Sequence, residues 1–388
     1  TRHLAPWRAL WQAIPLAELG GRPLAAAERE RRLRLCLEAL QRLEQAGELK
    51  APRESLFVHV LGTLGRWDEA HAKLNDFERR HPERRPEYLL QHGALYLSRQ
   101  EWERAYESFS AHFRLRSHAP LKAWQDFAAT VFTLNLGPYA MGLLEEGLKV
   151  FPEDDEMRLA MARLYAFHGF AEEALFLVNR LRNFQDTPFR VALLAATGRV
   201  QAARRLAAVE KLPDPMLPQY QTDLLAPAEW SLQWRVKPLT DADYARETAS
   251  AEAGPSPFVA GLRALRTEWF RQRGSGAVAD PARWEAVGRD AREQGMALVD
   301  LAMLLGRQGR SNEAERAARR AVELVPTWST PWRVRVALSG GAPTVVEQAH
   351  AACPWEPELW LARLVTRVRS GETGVREWAL AEVRGDAD

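Results

Sequence analysis

This 388-residue sequence has few residues suited to redox, metal or disulfide chemistry. It contains two cysteines, Cys36 and Cys353, and no run of 18 apolar residues. Two distant cysteines form neither a disulfide framework nor a CxxC metal motif, so we expect both to pack in the interior. The nine histidines include no pair at i, i+4 spacing. We therefore expect no metal site, no cofactor and no membrane-spanning segment within this sequence.

The sequence also has no excess of one charge and no familiar catalytic motif. Lys and Arg total 53 against 51 Asp and Glu, a formal net charge of +2, so a nucleic-acid partner is not expected. Phosphate-binding GxxxxGK[ST] loops, GxGxxG turns, GxSxG elbows and HExxH helices are missing. The acidic run Glu153–Glu156 follows Pro152 at a predicted helix start, where carboxylates cap the helix. We predict a non-enzyme with no catalytic residues.

The sequence does contain an internal repeat. A phrase of glycine, four residues and alanine recurs in full or degenerate form, ending at Ala70, Ala105, Ala140, Ala174, Ala203 and Ala314. The first five alanines are 35, 35, 34 and 29 residues apart. Apolar residues at three- and four-residue spacing flank each phrase, which predicts a helix, a tight turn and a second helix in every unit.

Small residues at fixed places in this unit predict close helix packing. Gly93 and Ala105 remove bulk where two helices cross, and an aromatic such as Tyr96 or Phe109 fills the adjoining space. Proline follows 12 residues after the alanine at Pro82, Pro152 and Pro326, where it ends the second helix.

This pattern resembles the tetratricopeptide repeat family, whose 34-residue unit prefers Trp, Leu, Gly, Tyr, Ala and Pro at such positions. The resemblance covers roughly two thirds of the chain and implies an all-α, right-handed solenoid of helical hairpins with a non-repeat insert. The predicted organisation has five parts: capping helices at 1–50, about five repeats over 51–215, a Pro- and Trp-containing insert or linker at 216–257, a helical hairpin at 258–294, and further repeats over 295–388.

The resemblance also implies a concave groove lined by the first helix of each repeat. Carrying over the family's groove-facing positions gives Leu90, Leu97, Gln125, Phe132, Leu159, Arg163 and Phe167, together with Ser55, His59, Ala94 and Ala129. Some family members clamp a terminal carboxylate with Lys, Asn and Arg, but those positions hold Ser55, His59, Ala94 and Gln125 here. An extended or helical protein segment with apolar side chains is the expected partner. Neighbouring repeats covering these positions remain an alternative.

We therefore predict a non-catalytic protein–protein interaction scaffold or adaptor. An alternative is an accessory subunit of a membrane-linked envelope, polysaccharide or secretion assembly, associated with the membrane through a segment outside this sequence. The start at Thr1 suggests processing or truncation, and slightly favours a periplasmic or membrane-anchored location over the cytoplasm. A helical enzyme acting on sugars would require an open cleft with paired carboxylates.

Overall fold

The computed structural model describes residues 26–115, 118–134, 136–167, 170–182, 187–214, 255–272 and 274–384. The chain divides into two compact units, Thr1–Ala119 and Pro120–Asp388, with a boundary inside the predicted repeat run 51–215. The predicted insert 216–257 lies outside the described residues except for its last three positions, and so does the Trp-bearing start of the predicted cap.

Unit 1 consists of helical hairpins preceded by one long helix. Its helices are α1 (Ala26–Gln45), α2 (Ala51–Thr63), α3 (Trp67–Arg80), α4 (Arg85–Ser98) and α5 (Trp102–Arg114), with a 3-10 turn at Pro82–Arg84. The predicted apolar face of α1, Leu33, Leu37, Leu40 and Leu43, is buried in one core with residues of α2 and α3. This helix thus covers one side of the α2–α3 hairpin.

The turns between paired helices explain the glycine in the repeated phrase. Gly65 has a φ of +73° at the end of α2, and the amide of Arg66 donates to the carbonyl of Leu61 at 2.9 Å. This is the left-handed helix termination that glycine adopts most readily. In the next hairpin Gln100 takes the same conformation, with a φ of +60°. The turn geometry is therefore kept even where the sequence lacks glycine.

The alanine that ends each phrase lies at the helix crossing, as predicted. All six of these alanines are at most 1% exposed: Ala70, Ala105, Ala140, Ala174, Ala203 and Ala314. A Cβ added at Gly93 would lie 2.6 Å from the Phe109 ring, so the small residue and the aromatic ring share one space. The predicted packing of the α4–α5 hairpin is confirmed.

Unit 2 contains two runs of helices. The first run is α6 (Leu121–Thr133), α7 (Gly137–Val150), α8 (Asp155–Phe167), α9 (Ala171–Val178), α10 (Thr187–Ala196) and α11 (Val200–Val209). The second run is α12 (Pro257–Arg271), α13 (Pro281–Glu285), α14 (Ala291–Arg307), α15 (Ser311–Leu324), α16 (Ser329–Leu338), α17 (Pro343–Ala352), α18 (Pro357–Arg369) and α19 (Val375–Arg384). The stretch predicted as a hairpin, 258–294, holds α12, a 3-10 turn at Gly276–Ala279 and the short α13.

The two runs of unit 2 pack against each other along a contact that we call the seam. In the seam, α7 contacts α14 and α16. The Trp328 ring is fully buried, with its centroid 5.5 Å from that of Tyr139. A Cβ at Gly142 would overlap the Trp328 ring, so the glycine makes room for the indole. Arg292 also pairs with Glu146 across the seam, at 2.6 Å. Residues about 150 to 190 positions apart thus form one core.

The all-α, tetratricopeptide-like repeat fold is confirmed: the described residues form helical hairpins and contain no strand. Asp154 accepts a hydrogen bond from the Met157 amide at 2.8 Å, so the acidic run caps α8 as predicted. Cys36 and Cys353 are buried free thiols. No helix in the described ranges is long and apolar enough to cross a bilayer.

Candidate partner-binding site

A pocket of about 260 Å³ lies in unit 1 between α2 and α4. These are the first helices of two successive hairpins. The pocket is lined by ten residues of α2, α4 and the first turn of α3: Ser55, Val58, His59, Gly62, Thr63, Trp67, Gln91, Ala94, Leu95 and Ser98. Among these are three of the predicted groove positions, Ser55, His59 and Ala94. The structure therefore brings residues from two repeats together at one site.

The inner wall of the pocket is apolar. Val58 and Leu95 are 2% and 6% exposed, and both belong to the core of unit 1. Gly62 shapes this wall, because a Cβ there would lie 2.7 Å from the Leu95 side chain and 3.3 Å from the Trp67 ring. The outer rim is formed by exposed residues, among them His59 and Ala94. The pocket is thus open at the surface and hydrophobic inside.

The polar groups of the pocket are few and mostly paired within the protein. The hydroxyls of Thr63 and Ser98 donate to the carbonyls of His59 and Ala94 in their own helices, at 2.8 and 2.9 Å. The Gln91 amide Nε2 donates to Ser55 Oγ at 2.8 Å, which joins α4 to α2. The remaining Gln91 atom, Oε1, is buried and has no hydrogen-bond partner among the described residues.

A pair of histidines, His71 on α3 and His92 on α4, joins these two helices. The Nδ1 atoms of His71 and His92 are 2.8 Å apart, so one proton joins the two rings. Tyr96 stacks on His71 with a centroid separation of 4.2 Å. Burial, together with the neighbouring His71, lowers the pKa of His92 to about 4. Burial lowers the pKa of His71 as well. The pair therefore stays neutral at pH 7.

Two other predicted groove residues of unit 1, Leu90 and Leu97, do not line the pocket. Leu90 and Leu97 are half-buried on α4, whereas the pocket is formed by Gln91, Ala94, Leu95 and Ser98 of that helix. Sequence reasoning thus missed Gln91, together with Gly62 and Trp67. Gly62 is a small residue on the first helix of one hairpin and faces the first helix of the next hairpin. This glycine is the sequence feature that could have indicated a cavity.

In unit 2 the remaining candidates occupy α6 and α8, the first helices of their hairpins. Gln125, Phe132 and Leu159 are half-buried, and Arg163 is exposed. The Gln125 amide donates to Glu156 at 3.3 Å, which connects the two helices. Phe167 is the last residue of α8, but its side chain lies outside the described set.

Glu145 and Glu356 are two of the acidic residues of unit 2 that are fully enclosed. Glu145 is 1% exposed and accepts a hydrogen bond from the Ser329 amide at 2.8 Å, while the Ser329 hydroxyl pairs with its other oxygen. Burial raises the pKa of Glu145 to about 8. Glu356 is 0% exposed, and its carboxylate accepts a hydrogen bond from the Tyr165 hydroxyl. Because both are sealed from solvent, they do not form the open cleft that glycoside hydrolysis needs.

Among the residues that the structure describes, no three His, Cys, Asp or Glu side chains are grouped as metal ligands. No protein-family model matches the chain, and no curated protein matches it either. Among solved structures, the chain is similar to one chain of the structure of Naa15/Naa10 bound to HypK-THB. That similarity has a TM-score of 0.32 and 13% sequence identity, and covers 96% of this chain and 67% of that chain.

Proposed function

We propose that this chain is a non-catalytic protein–protein interaction scaffold, and that a segment of a partner protein binds along the first helices of its repeats. The α2–α4 pocket is the observation that carries this proposal. It is apolar inside, polar at a few fixed points and open at the surface, which is the usual composition of a binding site. It also lies on the helices that present a binding surface in repeat proteins.

The pocket provides a place where a partner side chain can be removed from water. Interfaces derive most of their affinity from a few side chains that fill such desolvated pockets, while the surrounding contacts contribute little. The walls formed by Val58, Leu95 and Trp67 offer apolar surface to a bound group. We therefore assign the anchoring point of the partner segment to this pocket.

The half-buried apolar residues of α6 and α8 provide a second contact region within unit 2. Phe132 and Leu159 expose part of their side chains, and Arg163 on α8 is exposed and able to pair with an acidic group of a partner. We propose that an extended or helical segment of a partner protein contacts these residues of unit 2.

The proposal is tested by affinity capture with the full chain as bait, using membrane and soluble fractions of the native cells separately. Ala94→Trp fills the mouth of the pocket from an exposed position. Ala72→Trp places the same side chain at another exposed alanine of unit 1, on α3, and is the matched control. We expect the wild type and Ala72→Trp to recover the same partner, and Ala94→Trp to recover about tenfold less. Equal recovery by Ala94→Trp would contradict the proposal.

The contribution of unit 2 is tested with Leu159→Arg. The control is Val150→Arg, since Val150 is 47% exposed at the end of α7. We expect Leu159→Arg to weaken capture of the partner while its far-UV circular dichroism stays that of the wild type, and Val150→Arg to have no effect. Loss of partner by both variants would show a general charge effect instead. The fraction in which the partner is found also tests the periplasmic or membrane-anchored location.

A further inference from the structure

The exposed apolar residues of the chain are concentrated on its last two described helices. Nine large apolar side chains are exposed among the described residues, and four of them lie on α18 and α19: Leu361, Val365, Val368 and Leu380. The first three are 52%, 38% and 61% exposed. Single apolar residues on a surface are ordinary, whereas a contiguous apolar patch indicates an interaction site.

Three of these residues form one row along α18, which we call the α18 stripe: Leu361, Val365 and Val368. Their spacing of i, i+4 and i+7 places them on one face of the helix. Other faces of α18 pack within the protein. Leu359 is 1% exposed, and the Trp360 ring stacks on Trp378 of α19 with a centroid separation of 6.2 Å. The stripe is therefore the apolar face of α18 that the described helices leave uncovered.

The charged residues at the two ends of the stripe leave one positive charge without a partner. Glu358 precedes the stripe and pairs with Arg333 of α16. Glu372 follows it and pairs with Arg367 at 3.1 Å. Arg369, the last residue of α18, lies one turn beyond the middle of the stripe and is exposed. It has no ion pair with any described residue. A group that covers the stripe therefore meets apolar side chains and one free guanidinium.

We propose that the α18 stripe binds an amphipathic helix of a partner protein, with apolar side chains on the stripe and an Asp or Glu paired with Arg369. Apolar residues at i, i+4 and i+7 form a ridge that packs into the groove of another helix. A carboxylate is the acidic group that matches a guanidinium in geometry and charge. The inference extends the proposed function to a second surface and does not depend on the α2–α4 pocket.

The test uses the full chain and three fluorescein-labelled peptides that a hydrocarbon staple holds helical. The first peptide carries leucine on one face and glutamate beside it. The second has lysine in place of each glutamate, and the third has serine in place of each leucine. Fluorescence anisotropy at low ionic strength gives the dissociation constants. We expect saturable binding of the glutamate peptide, about fivefold weaker binding of the lysine peptide, and none of the serine peptide. Equal binding of the first two, or no saturable binding of the first, would overturn the inference.

Two variants locate the binding on the stripe. Val365→Asp places a charge in the middle of the stripe and should weaken binding of the glutamate peptide about tenfold. Val209→Asp is the matched control, since Val209 is 75% exposed at the end of α11. Arg369→Glu should reverse the preference, so that the lysine peptide binds more tightly than the glutamate peptide. An unchanged preference in Arg369→Glu, or an equal loss in both aspartate variants with wild-type circular dichroism, would sink the inference.

Further outcomes separate this inference from other occupants and from the proposed function. In sedimentation equilibrium without peptide, Val365→Asp should have the same mass as the wild type. A dimer that this variant converts to a monomer would show that a second copy covers the stripe, and would reject the partner helix. Absence of peptide binding, combined with partner capture that Ala94→Trp blocks, would reject the stripe and leave the proposed function in place. Glutamate-peptide binding that Val365→Asp weakens, with capture unaltered by Ala94→Trp, would support the stripe and reject the pocket.

Discussion

Units 1 and 2 are built from the same helical hairpins but are held together differently. In unit 1 the core formed by α1 to α4 joins helices that follow one another in the chain. In unit 2 the seam joins α7 to α14 and α16, so residues such as Gly142 and Trp328 meet across a large sequence separation. Nearest-neighbour packing is typical of repeat proteins, and unit 2 adds long-range packing to it.

The histidines and carboxyl groups whose pKa values are shifted by burial also differ between the two units. In unit 1, burial lowers the pKa values of His71, His92 and His112. In unit 2, burial raises the pKa values of Glu145, Glu173 and Glu356. A buried base disfavours acid and a buried acid disfavours alkali, so the two units should respond to pH in opposite directions.

The largest expected effect is the pH response of unit 2. Desolvation and the nearby Glu356 raise the pKa of Glu145 to about 8, against hydrogen bonds from Ser329 and the charge of Arg333, which lower it. The unfolded chain releases this proton near pH 4.5, so stability is full below that pH. It falls as pH rises to about 8, by on the order of 4 kcal/mol.

Glu145→Gln mimics the protonated acid and should remove this dependence. The measurement is urea unfolding of both proteins between pH 4.5 and 8.5. The free energy of unfolding of the wild type, minus that of Glu145→Gln, should fall steadily across this range. A difference that does not change with pH would show that Glu145 is ionised in the folded state.

The next largest effect is the acid response of unit 1. The pKa of His92 is lowered to about 4 from an ordinary value of 6.5. Stability is therefore full above pH 6.5 and is lost as pH falls towards 4, by about 3 kcal/mol. His92→Asn retains a hydrogen-bonding atom for His71 but does not titrate, so it should remove this part of the loss of stability in acid, as measured by urea unfolding between pH 4 and 7. The exposed His59 supplies the control, and His59→Asn should leave the acid response as in the wild type.

A smaller effect is expected from crowding the seam. Gly142→Ala forces a methyl group into the Trp328 ring. Because this overpacking costs more than the gain in helix propensity, the free energy of unfolding should fall by about 2 kcal/mol. Gly306→Ala is the control, because its Cβ meets only the end of the Leu338 side chain, at 3.3 Å. Thermal unfolding should show a lower midpoint for Gly142→Ala alone. Equal thermal midpoints for the two variants would contradict the close packing of Gly142 against Trp328.

The smallest effect concerns a turn of unit 1. Gln100 has a φ of +60°, in the left-handed region that favours glycine. Gln100→Gly should stabilise the protein by about 0.5 kcal/mol, since the relieved strain exceeds the added freedom of the unfolded chain. Gly65→Ala, at a φ of +73°, should have the opposite sign. Urea unfolding gives the change in stability of both variants. A lower midpoint for Gln100→Gly would show that the backbone of Gln100 is not strained.

Local features of the fold could be predicted from the sequence because their causes are local. The glycine and alanine of the repeated phrase specify a turn and a helix crossing, and both occur at Gly65 and Ala70. Asp154 caps α8 for the same reason: a carboxylate just before a helix reaches its first amides. Each of these interactions spans only a few residues.

The seam could not be predicted, because the residues that form it carry no such local signal. In the sequence, Gly142 is a residue of low helix propensity inside a helix, and its packing against the distant Trp328 explains why it is there. The pocket was foreseen in part: Ser55, His59 and Ala94 follow from the repeat register. The adjoining Gln91 is one position away from the predicted Leu90, and its unpaired oxygen depends on the position of Ser55 in another helix.

Binding of a partner protein at the α2–α4 pocket can be tested in cells. The most direct measurement is photo-crosslinking in native cells from a benzoylphenylalanine at Thr63, an exposed pocket residue, compared with one at Ala72. We predict one dominant adduct from Thr63 that is missing from Ala72, joined to a single partner protein. The same weak set of adducts from both positions would contradict the claim.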